Sequence, residues 1–218
     1  MTQTAPGGPL VIGLTGPIAA GKSQVAQVLA ELGADVIDSD AVYHSLITPP
    51  SPLLSQIAAR FGAEVLDQDG ALDRAALGRI VFSDPAALAD LEAITHPAVV
   101  AEVRRRIAAS PAEVVVNEAI KLIESGMAAE ADVLWLVDAD PDIRLKRLMA
   151  RNSLDEATAR TRLAASRPAL PAGLSFDEVL DNSGSWRDTQ AAVLRAWQRL
   201  PLGLQRGAMT ERTTCERA

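Results

Sequence analysis

The sequence predicts an α/β protein in which helices cover both faces of a five-stranded parallel sheet. Five short apolar segments alternate with longer amphipathic ones along the 218 residues, a pattern typical of strands buried on both faces. The core must be largely aliphatic, because the sequence has only three Phe, three Trp and one Tyr. Such a core favours helices packed on a sheet over an aromatic-rich β-barrel. The length fits a single domain, which we place at residues 10–200.

The strands are predicted in order at 10–15, 35–38, 114–117, 133–137 and 178–181. Between the second and third strands, His96 and Pro97 separate the last two of four helical patterns. These patterns lie at 53–60, 74–82, 86–94 and 99–109. A crossover between parallel strands needs only about a dozen residues. The longer segment here, about 48–112, is therefore predicted to be an inserted helical subdomain.

Two later features mark where helices begin. Asp84 and Asp140 each offer an N-cap directly before a proline, which suits the first helical position. Ser153 and Glu156 have the spacing of a capping box, which predicts that a helix begins there.

Composition and charge exclude several classes of function. The net charge is −7, and residues 1–100 carry four basic and eleven acidic side chains, whereas residues 101–218 carry seventeen of each. An acidic chain without a long apolar run is not expected to bind nucleic acid or membranes, and we expect a cytoplasmic monomer or weak homo-oligomer. The single cysteine, Cys215, and two histidines argue against a disulfide framework or a zinc site. The ends, residues 1–9 and 201–218, are expected to be flexible.

A phosphate-binding motif follows the first strand. The segment from 16 to 23 fits G-x-x-x-x-G-K-[ST] between a strand and an amphipathic helical pattern, which is the context of a P-loop. Its backbone N–H groups form an anion nest at a helix N-terminus, the lysine reaches the β- and γ-phosphates, and the hydroxyl ligates Mg²⁺. The competing interpretation is a glycine-rich turn with a chance lysine. The residues expected to bind nucleotide are Gly16, Ala19, Ala20, Gly21, Lys22, Ser23 and Gln24.

The remaining motifs favour a small-molecule kinase that uses ATP with Mg²⁺. No N-K-x-D guanine-binding motif is present, and the D-x-x-G match at 181–184 follows the last strand, where a GTPase switch would be out of order. The third strand ends in Asn117 and Glu118 instead of Asp-Glu, which weakens the motor ATPase interpretation.

Two carboxylates, Asp38 and Asp40, follow the second strand at the edge where open α/β sheets bind ligands. The attacking hydroxyl in phosphoryl transfer needs a proton acceptor. Residues i and i+2 point to opposite faces of a strand, so the two cannot share one role unless the chain turns at Ser39. We expect Asp40 to be the base and Asp38 to support it or to bind Mg²⁺ through water. The alternative is that Asp38 only caps the next helix.

An arginine-rich segment, about 141–170, is predicted to form a lid of two helices joined near Asn152. Its guanidinium groups would lie over the phosphates. Arg147 and Arg151 lie one helical turn apart on one face and are expected to contact nucleotide, although a solvated helix face is the alternative. The basic residues of the segment are Arg144, Lys146, Arg147, Arg151, Arg160, Arg162 and Arg167, against only Asp155 and Glu156.

The motifs taken in order resemble the dephospho-CoA kinase family over residues 10–200. They are G-L-T-G-x-I-x-x-G-K-S, V-I-D-x-D, H-P, L-I-E-S-G, L-K-R-L-M-x-R and V-L-D-N-S-G. The resemblance implies a P-loop kinase fold and transfer of the ATP γ-phosphate to the ribose 3′-hydroxyl of dephospho-CoA, the last step of coenzyme A biosynthesis. It also implies roles for individual residues. These are the catalytic aspartate Asp40, the P-loop pair Lys22 and Ser23, the phosphate-contacting Arg147, and Asn182, Ser183 and Gly184 beside the adenine.

Some positions depart from the family pattern. Pro17, Ala19 and Ala20 stand where Gly, Gly and Ser are usual, and Pro17 has no N–H to offer to phosphate. His44 stands where arginine is common, and Ser166 stands where the lid helix often ends in glutamine. The third strand end lacks the Pro-Leu-Leu version of the family.

The acceptor side of the site is expected to include Asp38, Asp40, His96 and Glu118. For His96, a capping or packing role is the alternative. Two other functions stay open at this point: a kinase with another acceptor, such as a nucleoside monophosphate, and a nucleotide-responsive binding module whose helical insert contacts a protein.

Overall fold

A computed structural model of the chain describes residues 8–165, 171 and 173–202. Its five strands form one parallel sheet in the order β2-β3-β1-β4-β5. The strands are β1 (Leu10–Thr15), β2 (Asp35–Asp38), β3 (Val114–Glu118), β4 (Val133–Asp138) and β5 (Glu178–Asp181). The predicted strands are confirmed, and β3 and β4 each extend one residue further than the sequence suggested.

Within these described residues, seven α-helices lie between the strands and an eighth follows β5, together with short 3₁₀ helices at Ala63–Val65 and Met127–Glu130. The first four are α1 (Lys22–Glu31), α2 (Ser39–Leu46), α3 (Pro52–Phe61) and α4 (Arg74–Val81). The last four are α5 (Pro85–Ala109), α6 (Pro141–Asn152), α7 (Glu156–Ala165) and α8 (Trp186–Gln198). No helix in the described part of the chain is both long and apolar enough to cross a membrane.

The sheet is the middle of three layers, as predicted. Alternate residues of β3 point to opposite faces, so Val114 and Val116 join one apolar cluster and Val115 joins another. The first cluster includes Leu29 of α1 and Val193 of α8, and the second contains side chains of α2 and α5. The aliphatic core expected from the composition is therefore divided between the two faces of the sheet.

The segment between β2 and β3 has an apolar cluster of its own. Leu53, Ile57 and Phe61 of α3 pack with Leu77 and Val81 of α4. The helices begin at side-chain caps that accept backbone N–H groups, namely Ser51, Asp73 and Asp84. This helical packing is what an inserted subdomain requires.

The prediction that His96 and Pro97 separate two helices was wrong, because α5 is continuous from Pro85 to Ala109. Proline costs this helix the hydrogen bond that residue 97 would otherwise donate to the carbonyl of Ala93. The helix continues because its two halves are buried against different partners. Ala87 lies in the cluster of the insert and Val103 in the cluster under the sheet.

The predicted capping box at Ser153 was also wrong. Ser153 has a φ of 50° and ends α6 in the left-handed conformation, so it cannot also begin the next helix. The side chain of Asp155 accepts the N–H of Thr158 at 2.9 Å instead, and α7 begins at Glu156. The predictions that concern Ser166, Arg167, Cys215, residues 1–7 and residues 203–218 lie outside the described residues.

Candidate active site

The residues singled out by the sequence meet at the C-terminal edge of the sheet. In the strand register, Glu118 of β3 lies between Leu14 of β1 and Asp38 of β2. On the other side of β1, Asp138 of β4 pairs with Asp181 of β5. The segments that follow the five strands therefore leave the sheet at one edge, which is where ligands of open α/β sheets bind.

The P-loop joins β1 to α1, and its glycines allow close approach of other groups. A Cβ atom on Gly16 would lie 2.0 Å from the carbonyl oxygen of Val137. A Cβ atom on Gly21 would lie 2.1 Å from Nδ2 of Asn182, and the φ of Gly21 is 99°. Both positions require glycine for physical reasons that the motif alone does not reveal.

Lys22 is buried, with 7% of its surface exposed. Its Nζ donates a hydrogen bond to the carbonyl oxygen of Gly16 at 3.1 Å. Burial lowers the pKa of the ammonium group, whereas the negative charges of Glu118 and Asp40 raise it. The lysine of the motif thus lies among carboxylates in partly dehydrated surroundings.

Asp38 and Asp40 are separated by a turn of the chain, as a shared site requires. Helix α2 begins at Ser39, and Oδ1 of Asp38 accepts the N–H groups of Asp40 and Ala41 at 2.8 and 3.0 Å. The capping role of Asp38 is therefore confirmed, while its role towards Mg²⁺ stays a prediction.

The protein around Asp40 alters its acidity although the side chain keeps exposed surface. Loss of hydration raises the pKa of its carboxyl group, and the charge of Asp38 raises it further. The positive charges of Lys22 and His44 act in the opposite direction. His44 lies one helical turn after Asp40 in α2. By sequence it stands out only as a departure from the family pattern and not as a site residue.

A buried hydrogen bond fixes the start of α2. Oγ of Ser39 donates to Oδ1 of Asn117 at 2.7 Å, and both residues are buried. The Asn117 amide also contacts Sδ of Met127 at 3.4 Å. Asn117 was not predicted to be part of the site, although a polar residue at the end of a Val-rich strand was the signal available.

Glu118 lies beside the P-loop. It is buried, and its Oε1 accepts a hydrogen bond from Oγ of Ser23 at 2.9 Å. Burial raises the pKa of the carboxyl group, and the bond to Ser23 and the charge of Lys22 partly offset this. The contact observed is with the predicted metal-binding hydroxyl, whereas the predicted contact with the acceptor stays a prediction.

Arg147 and Asn182 link helix α6, the P-loop and the segment that follows β5. Nη2 of Arg147 donates to the carbonyl oxygen of Asn182 at 2.9 Å, and Nη1 lies 3.5 Å from that of Ala20. The Asn182 side chain is buried between Ala20 and Thr189. Oγ of Ser183 accepts the N–H of Asp140 at 2.8 Å. Thr189 was missed because it lies within a helix and outside every motif.

The remaining predicted residues occupy different surroundings. The positive charge of Arg151 lowers the pKa of Lys22, so Arg151 lies on the side of α6 towards the P-loop. Burial lowers the pKa of His96, and its charged neighbours are Glu92, Lys121 and Glu124. His96 therefore belongs to the part of the edge formed by α5 and the segment after β3.

Comparisons with known proteins agree with one another. The sequence model of a family described as dephospho-CoA kinase matches residues 10–188. The dephospho-CoA kinase of Symbiobacterium thermophilum is 44% identical over 191 residues, which cover 86% of this chain and 80% of that protein. The dephospho-CoA kinase of Moorella thermoacetica is 44% identical over 194 residues, covering 87% of this chain and 92% of that protein.

Solved structures share the architecture. The crystal structure of TT1252 from Thermus thermophilus superposes with a TM-score of 0.75 at 33% identity, over 88% of this chain and 97% of that one. A dephospho-CoA kinase from Campylobacter jejuni has a TM-score of 0.56 at 23% identity, over 86% and 95% of the two chains, and shares the fold.

Proposed function

The chain belongs to the dephospho-CoA kinase family, and on this premise we propose which of its residues bind the substrates and which act in the transfer. The activity is that of an ATP-dependent dephospho-CoA kinase, as the sequence indicated. The observation that supports our assignment most directly is the convergence of carboxylates on the P-loop: Glu118 pairs with Asp38 in the strand register and accepts the hydroxyl of Ser23 at 2.9 Å. A donor site and an acceptor site must meet there for a phosphoryl group to pass between them.

The P-loop is proposed to bind the phosphates of ATP. The N–H groups that the loop turns towards the ligand and the positive end of α1 would attract the β-phosphate, and Lys22 would exchange its bond to the Gly16 carbonyl for phosphate oxygens. Arg147 and Arg151 would approach the same phosphates from α6. The loop of Asn182, Ser183 and Gly184 lies beside the nucleotide in this assignment. The other nucleotide contacts are assigned to the backbone of Gly16, Ala19, Gly21 and Ser23. The N–H groups of Ala20 and Gln24, which the sequence also selected, donate within the loop to the carbonyl oxygens of Pro17 at 3.2 Å and Gly21 at 3.1 Å.

The donor atoms at the end of the P-loop fit Mg²⁺. Ser23 offers a hydroxyl, and the carboxylate of Glu118 is already within hydrogen-bond distance of it. Hard oxygen donors of this kind suit Mg²⁺, which keeps several of its waters when it binds with a nucleotide. We propose that Ser23 ligates the ion and that Asp38 and Glu118 approach it through water. Bound there, the ion neutralises charge on the β- and γ-phosphate oxygens.

Asp40 is proposed to accept the proton of the ribose 3′-hydroxyl. As the hydroxyl oxygen attacks the γ-phosphorus, its proton passes to the Asp40 carboxylate, the bond to the bridging oxygen breaks, and ADP leaves. The raised pKa of Asp40 makes it a better base than an ordinary aspartate. His96 and the insert, 48–112, would hold the acceptor, and the lid, 141–170, would close over the phosphates.

The exclusion of other partners remains part of the proposal. An acidic chain with a net charge of −7 is poorly suited to nucleic acid and to anionic membrane surfaces, so we propose ATP and dephospho-CoA as partners without nucleic acid or membrane. We also propose that the protein works in the cytoplasm as a monomer or weak homo-oligomer.

The base assignment is tested by Asp40→Asn, which preserves the size of the side chain. Loss of a positioned general base typically lowers the rate by about 10² to 10⁴, so we expect kcat to fall by this factor while KM for ATP changes little. A steady-state assay of ADP release measures both. Asp35→Asn is the matched control, because Asp35 is an exposed aspartate at the start of β2, at the far end of that strand from the helix that carries Asp40. Turnover of Asp40→Asn close to that of the unchanged protein would refute the assignment.

A further inference from the structure

We propose that Asn182 and Thr189 are positioning residues that orient the Ala20–Gly21 peptide of the P-loop and so set the strength of phosphate binding. The inference rests on the proposed assignment of the P-loop to the ATP phosphates. It gives Asn182 a role other than the contact with adenine that its motif implied.

The three residues form a buried chain of hydrogen bonds. Nδ2 of Asn182 donates to the carbonyl oxygen of Ala20 at 2.8 Å, and Oγ1 of Thr189 donates to Oδ1 of Asn182 at 2.9 Å. Asn182 and Thr189 are each 1% exposed, and Ala20 is fully buried. The bonds thus connect α8 to the P-loop, although Ala20 and Asn182 are 162 positions apart in the sequence.

The orientation of the Asn182 amide follows from its neighbours. The carbonyl of Ala20 can only accept a hydrogen bond, so the end of the amide that faces it must be the NH₂ group. The oxygen of the amide then faces Thr189, whose hydroxyl can donate to it. Without that hydroxyl, the amide oxygen would lose the donor that holds it, and only the contact with the Ala20 carbonyl would keep the amide in this orientation.

The planar peptide bond transmits this orientation to the phosphate site. In a trans peptide the C=O and N–H bonds point in opposite directions, so holding the Ala20 carbonyl towards Asn182 turns the Gly21 N–H away from it. Within the described residues, the Gly21 N–H has no backbone or side-chain acceptor. It is therefore a free donor in a P-loop, as a phosphate ligand requires.

Two further observations agree with a positioning role for Asn182. Arg147 donates a hydrogen bond to the carbonyl oxygen of Asn182 at 2.9 Å, which fixes the backbone at Asn182 itself. A Cβ atom at position 21 would lie 2.1 Å from the Asn182 amide, so the amide can occupy this position only because residue 21 is a glycine. Both ends of the Asn182 amide already have a partner within the protein, and the residue is 1% exposed, so its burial separates it from a base bound at the surface of the loop.

The test separates the phosphates from the base by using tripolyphosphate with Mg²⁺ as the ligand. Thr189→Val removes the hydroxyl while preserving the shape, and Thr189→Ser retains it. Losing a buried hydrogen bond of this kind corresponds to about a tenfold change in affinity. We expect Thr189→Val to raise the dissociation constant of tripolyphosphate and the KM for ATP about tenfold, leaving KM for dephospho-CoA unchanged. Thr189→Ser should behave like the unchanged protein.

Two controls make the result specific. Thr95→Val removes another buried threonine hydroxyl, which bonds within α5 to the carbonyl of Leu91, and is expected to leave tripolyphosphate binding unchanged. Lys22→Ala should abolish that binding if the P-loop is the phosphate site. If Thr189→Val does not fold, Thr189→Ala gives the same comparison with less crowding of the site.

The possible outcomes are distinct. Weaker binding of ATP by Thr189→Val with unchanged binding of tripolyphosphate would mean that Asn182 and its loop act on the adenine base, and would refute the positioning role of Asn182 and Thr189. If Thr189→Val binds both ligands normally while Lys22→Ala binds tripolyphosphate weakly, the positioning role of Asn182 and Thr189 is refuted and the proposed function stays intact. Normal tripolyphosphate binding by Lys22→Ala would overturn the P-loop assignment and the inference with it.

Discussion

At the scale of single residues, the site concentrates ionisable groups that the protein makes harder to charge. Burial lowers the pKa of Lys22 and raises that of Glu118, and loss of hydration raises that of Asp40. The opposite charges of these groups offset only part of the effect. Active sites commonly show such displaced values, because a base must hold its proton loosely enough to return it yet strongly enough to take it.

The first prediction at this scale concerns the stability of Asp40→Asn. The pKa of Asp40 is raised in the folded protein, so the carboxylate favours folding less when it is charged, and its contribution is lost as pH rises through the folded pKa. Replacing it by the neutral amide should raise the free energy of unfolding at about pH 7, without added Mg²⁺. Urea unfolding measures the difference. The gain should shrink towards about pH 4, and a gain independent of pH would contradict the electrostatic cause.

The second concerns the bond between Ser39 and Asn117. Asn117→Ala leaves the buried Ser39 hydroxyl without its acceptor, which should lower the free energy of unfolding by about 1 to 3 kcal/mol. Because the bond fixes the start of the helix that carries Asp40, kcat should fall as well. A double-mutant cycle with Ser39→Ala should give a coupling energy of about 0.5 kcal/mol or more. Additive effects of the two substitutions would show that the bond contributes nothing.

At the scale of secondary structure, the sequence predicted most elements and misjudged two helix boundaries. It located all five strands, since their apolar runs are short and bounded by turns. It divided α5 at Pro97, because proline disrupts a helix locally, whereas the burial that preserves α5 comes from residues distant in sequence. It also began α7 at Ser153, which has the composition of a cap but is used to end α6.

The prediction at this scale is that Pro97→Ala stabilises the protein. The substitution restores the N–H that can bond to the carbonyl of Ala93, and an interior proline costs a helix about 3 kcal/mol. The proline also restricts the unfolded chain, which returns somewhat under 1 kcal/mol, so a net gain of about 2 kcal/mol is expected. Thermal and urea unfolding provide the measurement. Ala98→Ser, one residue away in the same helix, is the control and should produce no gain. A loss of stability in Pro97→Ala would mean that α5 depends on its proline.

At the scale of the whole molecule, three apolar clusters support the edge of the sheet that carries the candidate active site. Two of them cover the faces of the sheet and the third holds the insert together. A fourth, smaller cluster joins α6 and α7, and Ile18 and Ala19 of the P-loop pack against it. The phosphate loop and the helices above it are therefore packed together. Ala19 has a φ of 62°, a conformation that favours glycine, which is the residue usual in the family at this position.

The prediction at this scale is that dephospho-CoA stabilises the protein more than AMP at the same concentration. A ligand at 100 times its dissociation constant adds about 2.7 kcal/mol to the free energy of unfolding, and only the acceptor of the family should reach that occupancy at low concentration. Thermal denaturation with each ligand measures the effect. Equal stabilisation by AMP would point to an acceptor site that does not discriminate in favour of dephospho-CoA.

The sequence alone determined the five strands, the P-loop and the family. These are local properties, because periodicity and motifs are recorded within a few neighbouring residues. Only the tertiary structure decided which side chains meet, because strands distant in the chain become neighbours in the order β2-β3-β1-β4-β5. That order places Glu118 against Ser23, Asn117 against Ser39 and Asn182 against Ala20. Each of these contacts joins residues at least 78 positions apart, and a hydrogen bond depends on positions in space that spacing along the chain does not record.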